Sequence, residues 1–263
     1  MSGIYAIHLS AYAQLTVELA EEAVRFLRNC ASLPCVAIHK SPGDFASELD
    51  VQIETLLKKL IVERYLEHGF LGEEGGGLFD FNGPIWIIDP IDGSVNFVRG
   101  YPQYSVSIAL VIDGEPVVAC IADPCRAEVF SATLGEGAFL NGKRLHVAST
   151  DNLAYALAAT VFPKPNAPFM HDYLRQFDTV ARQTAGVRRA GSMALELAYL
   201  AAGRVDLFWK RGMGAWDAAA GVLLIREAGG EVFTLYNKLW IHSAEICASI
   251  PALSVDWRSL IAK

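Results

Sequence analysis

The chain has 263 residues, 52% of them apolar and 19% charged, and a formal net charge of −7 at pH 7. That length can bury a large core, in one big domain or two smaller ones, and the composition is that of a packed globular protein rather than a disordered one. The acidic balance argues against nonspecific nucleic-acid or anionic-membrane binding, since both need a basic surface.

The opening MSGIYAIHLSAYAQ lacks the basic start and cleavage site of a secretory signal. From Tyr12 to Leu27, apolar residues at Tyr12, Leu15, Leu19, Ala23 and Phe26 recur at helical spacing. A second helix is predicted from about Ser47 to Glu67 with Leu49, Ile53, Leu56 and Leu60 inward, and Ser47-x-x-Asp50 resembles a capping box at its start. The pattern then turns to strands. PIWIID is one, SVSIALVI and PVVACIA flank the hairpin signal Asp113-Gly114, and AEVFSA is followed by a glycine-rich loop and AFLNGKRLHV. After about residue 147, helices at 168–183 and 192–202 precede a strand RVDLFWK and a helix from Trp216 to Ala228 ended by Gly229. EVFTL and ICASI read as strands and VDWRSLIA as a closing helix. This mixture predicts an α/β (α+β) fold of layered sheets and helices, divided into parts 1–146 and 147–263.

No apolar run approaches the ~18 residues of a membrane span. The cysteines at 30, 35, 120, 125 and 247 form no Cys-x-x-Cys pair, and the six histidines are scattered without zinc-ligand spacing. Reduced thiols in a cytoplasmic protein are the expectation.

Chemistry concentrates in carboxylates. WIIDPIDGSVNFVRG places Asp89 where a strand ends, so its side chain can project into a crevice at the sheet edge. Pro90 stiffens the turn, Asp92 returns near Asp89, and Gly93-Ser94 can open a short helix whose free N–H groups would hold an anion. LGEEGGG adds Glu73 and Glu74 in a loop just before that strand, and AWDAAAG puts Asp217 at a helix start. Taken singly, a solvated turn explains DPIDG, hydration explains the loop acids, and an N-cap explains Asp217. Meeting in one cleft, Glu73, Asp89, Asp92 and Asp217 would repel one another unless hard divalent cations lay between them. Two such ions can clamp the attacking and leaving oxygens of a phosphoryl displacement.

Three other motifs compete less well. Asp-x-Asp-Gly-Thr phosphatases space their aspartates two apart, not three. GAFLNGKR lacks the Ser or Thr that follows a P-loop lysine and precedes LHV rather than a helix, so a hairpin loop is expected there. No Gly-x-Ser-x-Gly elbow is present.

GEE at 72–74, WIIDPIDGSVNF at 86–97 and WDAAAG at 216–221, supported by GEGAFLNGKRL and RRAGSMALELAYLAAGRVD, resemble the inositol monophosphatases, especially bacterial members. The resemblance extends from about residue 10 to 255. It implies a layered αβαβα sandwich of the inositol monophosphatase/fructose-bisphosphatase type, a homodimer, and Mg²⁺-dependent, lithium-sensitive hydrolysis of a small phosphorylated substrate. It implies two or three Mg²⁺ ions: one held by Glu73, Asp89 and the carbonyl of Ile91, a second by Asp89, Asp92 and Asp217. Glu73 with the Ser94 hydroxyl would activate water, Asp50 would support that hydroxyl, and phosphate would rest on the N–H groups of Gly93 and Ser94. Gly191, Ser192 and Met193 match the substrate side. Inositol-specific members carry a glutamate seven residues before the WD aspartate, where this chain has Lys210. An ammonium attracts anions that a carboxylate repels. Lys210, with Arg211 beside it, therefore raises a substrate with a second anionic group, such as fructose 1,6-bisphosphate or 3′-phosphoadenosine 5′-phosphate, against the default inositol 1-phosphate. A non-catalytic binding protein on the same fold is the rival from another class.

Overall fold

The computed structural model describes residues 3–30, 37–41, 44–77, 83–236 and 238–262. Helix α1 (Gly3–Cys30) runs past both ends of the expected segment and buries Leu15, Leu19, Ala23 and Leu27. A hairpin of β1 (Ala37–Ser41) and β2 (Asp44–Ser47), unforeseen from the sequence, leads into α2 (Glu48–Val62). The inward stripe of α2 is Asp50, Ile53, Glu54, Leu57 and Ile61, which corrects the expected Leu49, Leu56 and Leu60 face. Two leucine stripes compete in this segment, and the helix is turned so that two acids four residues apart meet hydrogen-bond donors inside.

The first sheet follows. β3 (Gly69–Gly72) lies parallel to β4 (Pro84–Asp92), and after the short helix α3 (Ser94–Val98) β5 (Ser105–Ile112) returns antiparallel to β4. β5 and β6 (Glu115–Asp123) form the hairpin that Asp113-Gly114 predicts; both residues take positive φ, 52° and 81°, as a type I′ turn requires. β7 (Glu128–Thr133), β8 (Gly137–Leu140) and β9 (Lys143–Arg144) complete seven strands in sequence order. GAFLNGKR is the β8–β9 hairpin, turning at Asn141-Gly142, so a phosphate-cradling loop is excluded there.

The second sheet takes β10 (Leu157–Thr160), then α4 (Met170–Gln183), β11 (Gly186–Arg188), α5 (Met193–Ala201), β12 (Leu207–Arg211), α6 (Ala215–Glu227), β13 (Glu231–Phe233), β14 (Glu245–Ser249) and α7 (Ser254–Ile261). Its strand order is β11-β10-β12-β14-β13. Helix α6 ends as predicted: Gly229 sits in the left-handed region at φ 90°, and the Gly230 N–H donates back to the Ile225 carbonyl at 2.8 Å.

Three apolar clusters set the layers. α1 and α2 cover one face of the first sheet through Leu19, Leu57, Trp86 and Ile108. α5 and α6 fill the space between the sheets, packed against Ile87 and Ile121 on one side and Phe208 and Ile246 on the other. α4 and α7 cover the far face of the second sheet with Tyr173 and Trp257 against Trp209. The result is an αβαβα sandwich, as the resemblance implies. Because α5 and α6 are enclosed on both sides, they are apolar nearly all round, and Gly221 lets them approach: a Cβ there would lie 2.4 Å from Leu197 Cδ1. No described helix is long and apolar enough to cross a membrane. Cys30, Cys120, Cys125 and Cys247 are free thiols, and Cys35 lies outside the described residues.

Candidate functional site

In a regular strand, residues three apart point to opposite faces. Asp89 and Asp92 share a face because β4 bulges between them. Asp89 pairs with Ser107 and Asp92 with Ser105, so three steps on β4 oppose two on β5. Pro90, which has no N–H to give the ladder, sits in that bulge, and Ile91 turns into the α1/α2 core. The Asp89 carboxylate accepts the Ile91 N–H at 3.1 Å. Asp92 points at the start of α5, accepting the N–H groups of Met193 (3.1 Å) and Ala194 (2.7 Å) and a short bond from the Ser192 hydroxyl.

Asp217 arrives from α6. The helix begins at Ala215 with Gly214 in the capping position, so Asp217 is its third residue and not the N-cap; it reaches back to accept the Gly214 N–H at 2.7 Å. One carboxylate oxygen from each of Asp89, Asp92 and Asp217 lies within 4.8 Å of the others. Glu73, in the turn after β3, lines the same cleft outside that triad.

Burial chiefly, then Glu73, Asp92 and Asp217, hold the Asp89 carboxyl well above the usual carboxylate range. Asp92 is pushed up to about 6, again by burial first and Asp217 second, against the opposing pull of its Ser192 and Ala194 bonds and of Lys210. Three buried or half-buried acids converging this closely, all offering oxygen, suit a hard divalent cation that would neutralise them. The residues present therefore fit such an ion.

The hydroxyl side of the cleft is built from α2 and α3. Asp50 is fully buried and accepts both the N–H and the hydroxyl of Ser47, at 2.7 and 2.6 Å, completing the capping box. Its other oxygen lies 3.1 Å from the Ser94 hydroxyl, which also reaches the Ile91 carbonyl at 2.9 Å. Capping and site support thus coexist in one side chain, and burial lifts its pKa above the ordinary value. Gly93 takes φ 94°, and a Cβ there would stand 3.1 Å from the Gln103 carbonyl. The Gly191-Ser192-Met193 segment closes the opposite wall, beside Asp92.

Lys210 lies on β12 opposite Ile246 and lines the cleft with Asp217, in cavities of about 740 and about 520 Å³ that share both residues. Arg211 is not its companion there: it stands 3.8 Å from Glu245 and over the Phe169 ring. Strand alternation separates the two neighbours.

Sequence reasoning missed three supports. Glu54 on α2 accepts two N–H groups of the Glu73 turn. Asn96 donates to the carbonyls of Gln103 (2.7 Å) and Ala190 (2.8 Å), tying α3 to the Gly191 wall. Glu196 on α5 accepts the Ala190 N–H at 3.0 Å. An acid within an otherwise apolar helix was the available signal for Glu196.

A family model described as "Inositol monophosphatase family" matches residues 8–261. The chain is 45% identical over 195 residues to the "Nus factor SuhB" of Xylella fastidiosa, covering 74% of this chain and 70% of that protein. It is 43% identical over 192 residues to the "Inositol-1-monophosphatase" of Rhizobium meliloti, covering 73% and 72%. Among solved structures, the extragenic suppressor protein suhB of Bartonella henselae superposes with a TM-score of 0.90 at 33% identity over 96% of this chain and 99% of that one. The inositol monophosphatase of Anabaena superposes at 0.85 and 32%, over 97% and 96%.

Proposed function

We propose that this chain, which belongs to the inositol monophosphatase family, hydrolyses small phosphate monoesters with Mg²⁺, inositol 1-phosphate being the default substrate. The observation that carries the reading is the convergence of Asp89, Asp92 and Asp217 beside the Ser94–Asp50 pair. In this reading Glu73, Asp89, Asp92, Asp217 and the Ile91 carbonyl hold two or three Mg²⁺ ions. Bound there, the ions neutralise the carboxylates, attract the phosphate dianion and make water easier to deprotonate. Glu73 takes the proton from the attacking water, which the Ser94 hydroxyl, steadied by Asp50, orients. The water oxygen forms the new bond to phosphorus as the ester P–O bond breaks, and the released alkoxide oxygen takes its proton from solvent water. The Gly93 and Ser94 amides hold a phosphate oxygen, and Gly191 faces the alcohol, with Ser192 and Met193 buried behind it on Asp92. Phosphate release from a panel of monoesters, with Mg²⁺ and with EDTA, tests this; release undiminished by EDTA, or none from any ester, overturns it. The same assays would show inhibition by lithium, and gel filtration a dimer; a cytoplasmic location belongs to the same reading.

A second reading of the substrate has its own support. Lys164, Arg189 and Lys210 line the same cavity as Asp89 and Asp92. The Lys210 ammonium attracts anions that a carboxylate there would repel, which favours a second anionic group such as that of a sugar or nucleotide bisphosphate. Lys210→Glu should then lower kcat/KM for fructose 1,6-bisphosphate or 3′-phosphoadenosine 5′-phosphate on the order of tenfold relative to inositol 1-phosphate. An unchanged ratio makes Lys210 a bystander. The relatives named Nus factor SuhB favour one further reading, a factor role separate from hydrolysis, which a catalytically silent variant would retain.

A further inference from the structure

Glu54 is buried at 7% exposure on α2, and the proposed reaction does not use it. Its two carboxylate oxygens accept the backbone N–H groups of Glu74 (2.9 Å) and Gly75 (2.7 Å). The space around that carboxylate is shaped by glycine. A Cβ at Gly72 would lie 2.2 Å from Glu54 Cδ, and one at Gly75 would lie 2.5 Å from Glu54 Oε1. Two glycines of GEEGGG therefore admit a side chain from another element rather than merely loosening the loop. The turn closes on itself where the Gly72 N–H donates to the Gly76 carbonyl at 3.2 Å. Glu73 is held inside this closed turn.

One helical turn before Glu54, on the same buried face of α2, Asp50 lies 3.1 Å from the Ser94 hydroxyl. Residues four apart on a helix share a face and stand about 6 Å apart along its axis. One rigid element thus grips Ser94 with its first buried acid and the Glu73 turn with its second.

We propose that Glu54 is a positioning residue, fastening the Glu73 turn to α2 so that Glu73 and Ser94 keep a fixed separation across the cleft. The inference rests on the proposed roles of those two residues. A support of this kind acts on metal affinity and turnover without touching substrate, and losing one generally costs about 10- to 100-fold in either.

Calorimetric Mg²⁺ titration of the substrate-free protein, alongside kcat and KM, decides the matter in four variants. Glu54→Ala should weaken Mg²⁺ binding about 10-fold or more and lower kcat with little change in KM. Glu54→Gln, which keeps one acceptor oxygen, should recover part of both. Gly72→Ala displaces only the far end of a flexible side chain, so the fold should survive while Mg²⁺ affinity falls as in Glu54→Ala. It also keeps the test open if Glu54→Ala does not fold. Because Gly72→Ala and Glu54→Ala remove the same contact, their combination should cost no more than either alone. Mg²⁺ affinity and kcat like the wild type in Glu54→Ala, or additive losses in the double variant, would overturn the proposal. No Mg²⁺ uptake by the wild-type protein would instead overturn the reading of the site itself.

Discussion

Asp89→Asn is expected to lower Mg²⁺-dependent phosphate release on the order of 10³-fold or more, while raising the melting temperature of the metal-free protein. Asp89 is 1% exposed and faces Glu73, Asp92, Asp217 and Asp50, so its charge meets both desolvation and four like charges. The asparagine keeps an oxygen for the Ile91 N–H and discards the charge. Its folded-state pKa lies above the unfolded value, so the destabilisation it causes is absent at acidic pH and grows as the unfolded chain ionises. The gain in the variant should accordingly be clear at pH 7–8 and shrink towards nothing as pH falls below the unfolded value of 3.8. Mg²⁺ should stabilise the wild-type protein strongly and the variant hardly at all. Scanning calorimetry in EDTA and in Mg²⁺ reads all of this. A variant that melts below the wild type in EDTA would mean that the ionised carboxylate is welcome in the empty cluster, and the argument for a cation would lose its basis.

What the sequence made legible here followed from local chemistry. Ser47 and Asp50 are three apart before an apolar run, Asp113-Gly114 stands between two strand patterns, and Gly229 closes a helix; each requirement lies within a few residues, and each appears in the structure. The sequence predicts that Asp92 returns near Asp89, but through a turn at Pro90; β4 instead continues to Asp92, and a bulge brings the two together. Strand periodicity puts them on opposite faces, and only the register against Ser107 and Ser105 shows the bulge that brings them together. β3, β10 and β11 escaped because GFLG, LAAT and GVR are too short and too small to show a period. The phase of α2 escaped because Glu54 reads as a surface acid until a partner 20 residues away supplies its donors. Arg211 shows the opposite failure: adjacency suggested a shared role with Lys210, and the pleat sends it to Glu245.

Glu196→Gln is expected to stabilise the protein by about 3 kcal/mol at pH 8 and to change little near pH 4. Glu196 lies 1% exposed on α5 between the two sheets. Burial pushes its carboxyl up to about 7, with Asp92 adding to the effect and the Ala190 N–H and Arg188 opposing it. Below the unfolded value near 4.5, both folded and unfolded chains carry the proton and the group contributes nothing. Between there and pH 7 the unfolded chain ionises first, so stability falls as pH rises, and above pH 7 the full penalty remains. Asp92 titrates in the same range and is one of the charges that raise Glu196, so the difference between the two proteins contains that repulsion as well as burial. Glutamine retains the acceptor for Ala190, so the Gly191 wall should hold its place and the activity at pH 7 should survive. Glu196→Ala should not be equivalent, because it strands a part-buried backbone N–H at a cost of about 1–3 kcal/mol and frees one of the ties on that wall. Urea midpoints at pH 4.5 and pH 8 measure the contrast. A glutamine variant less stable than the wild type at pH 8 would mean that Arg188, rather than burial, decides where that proton sits.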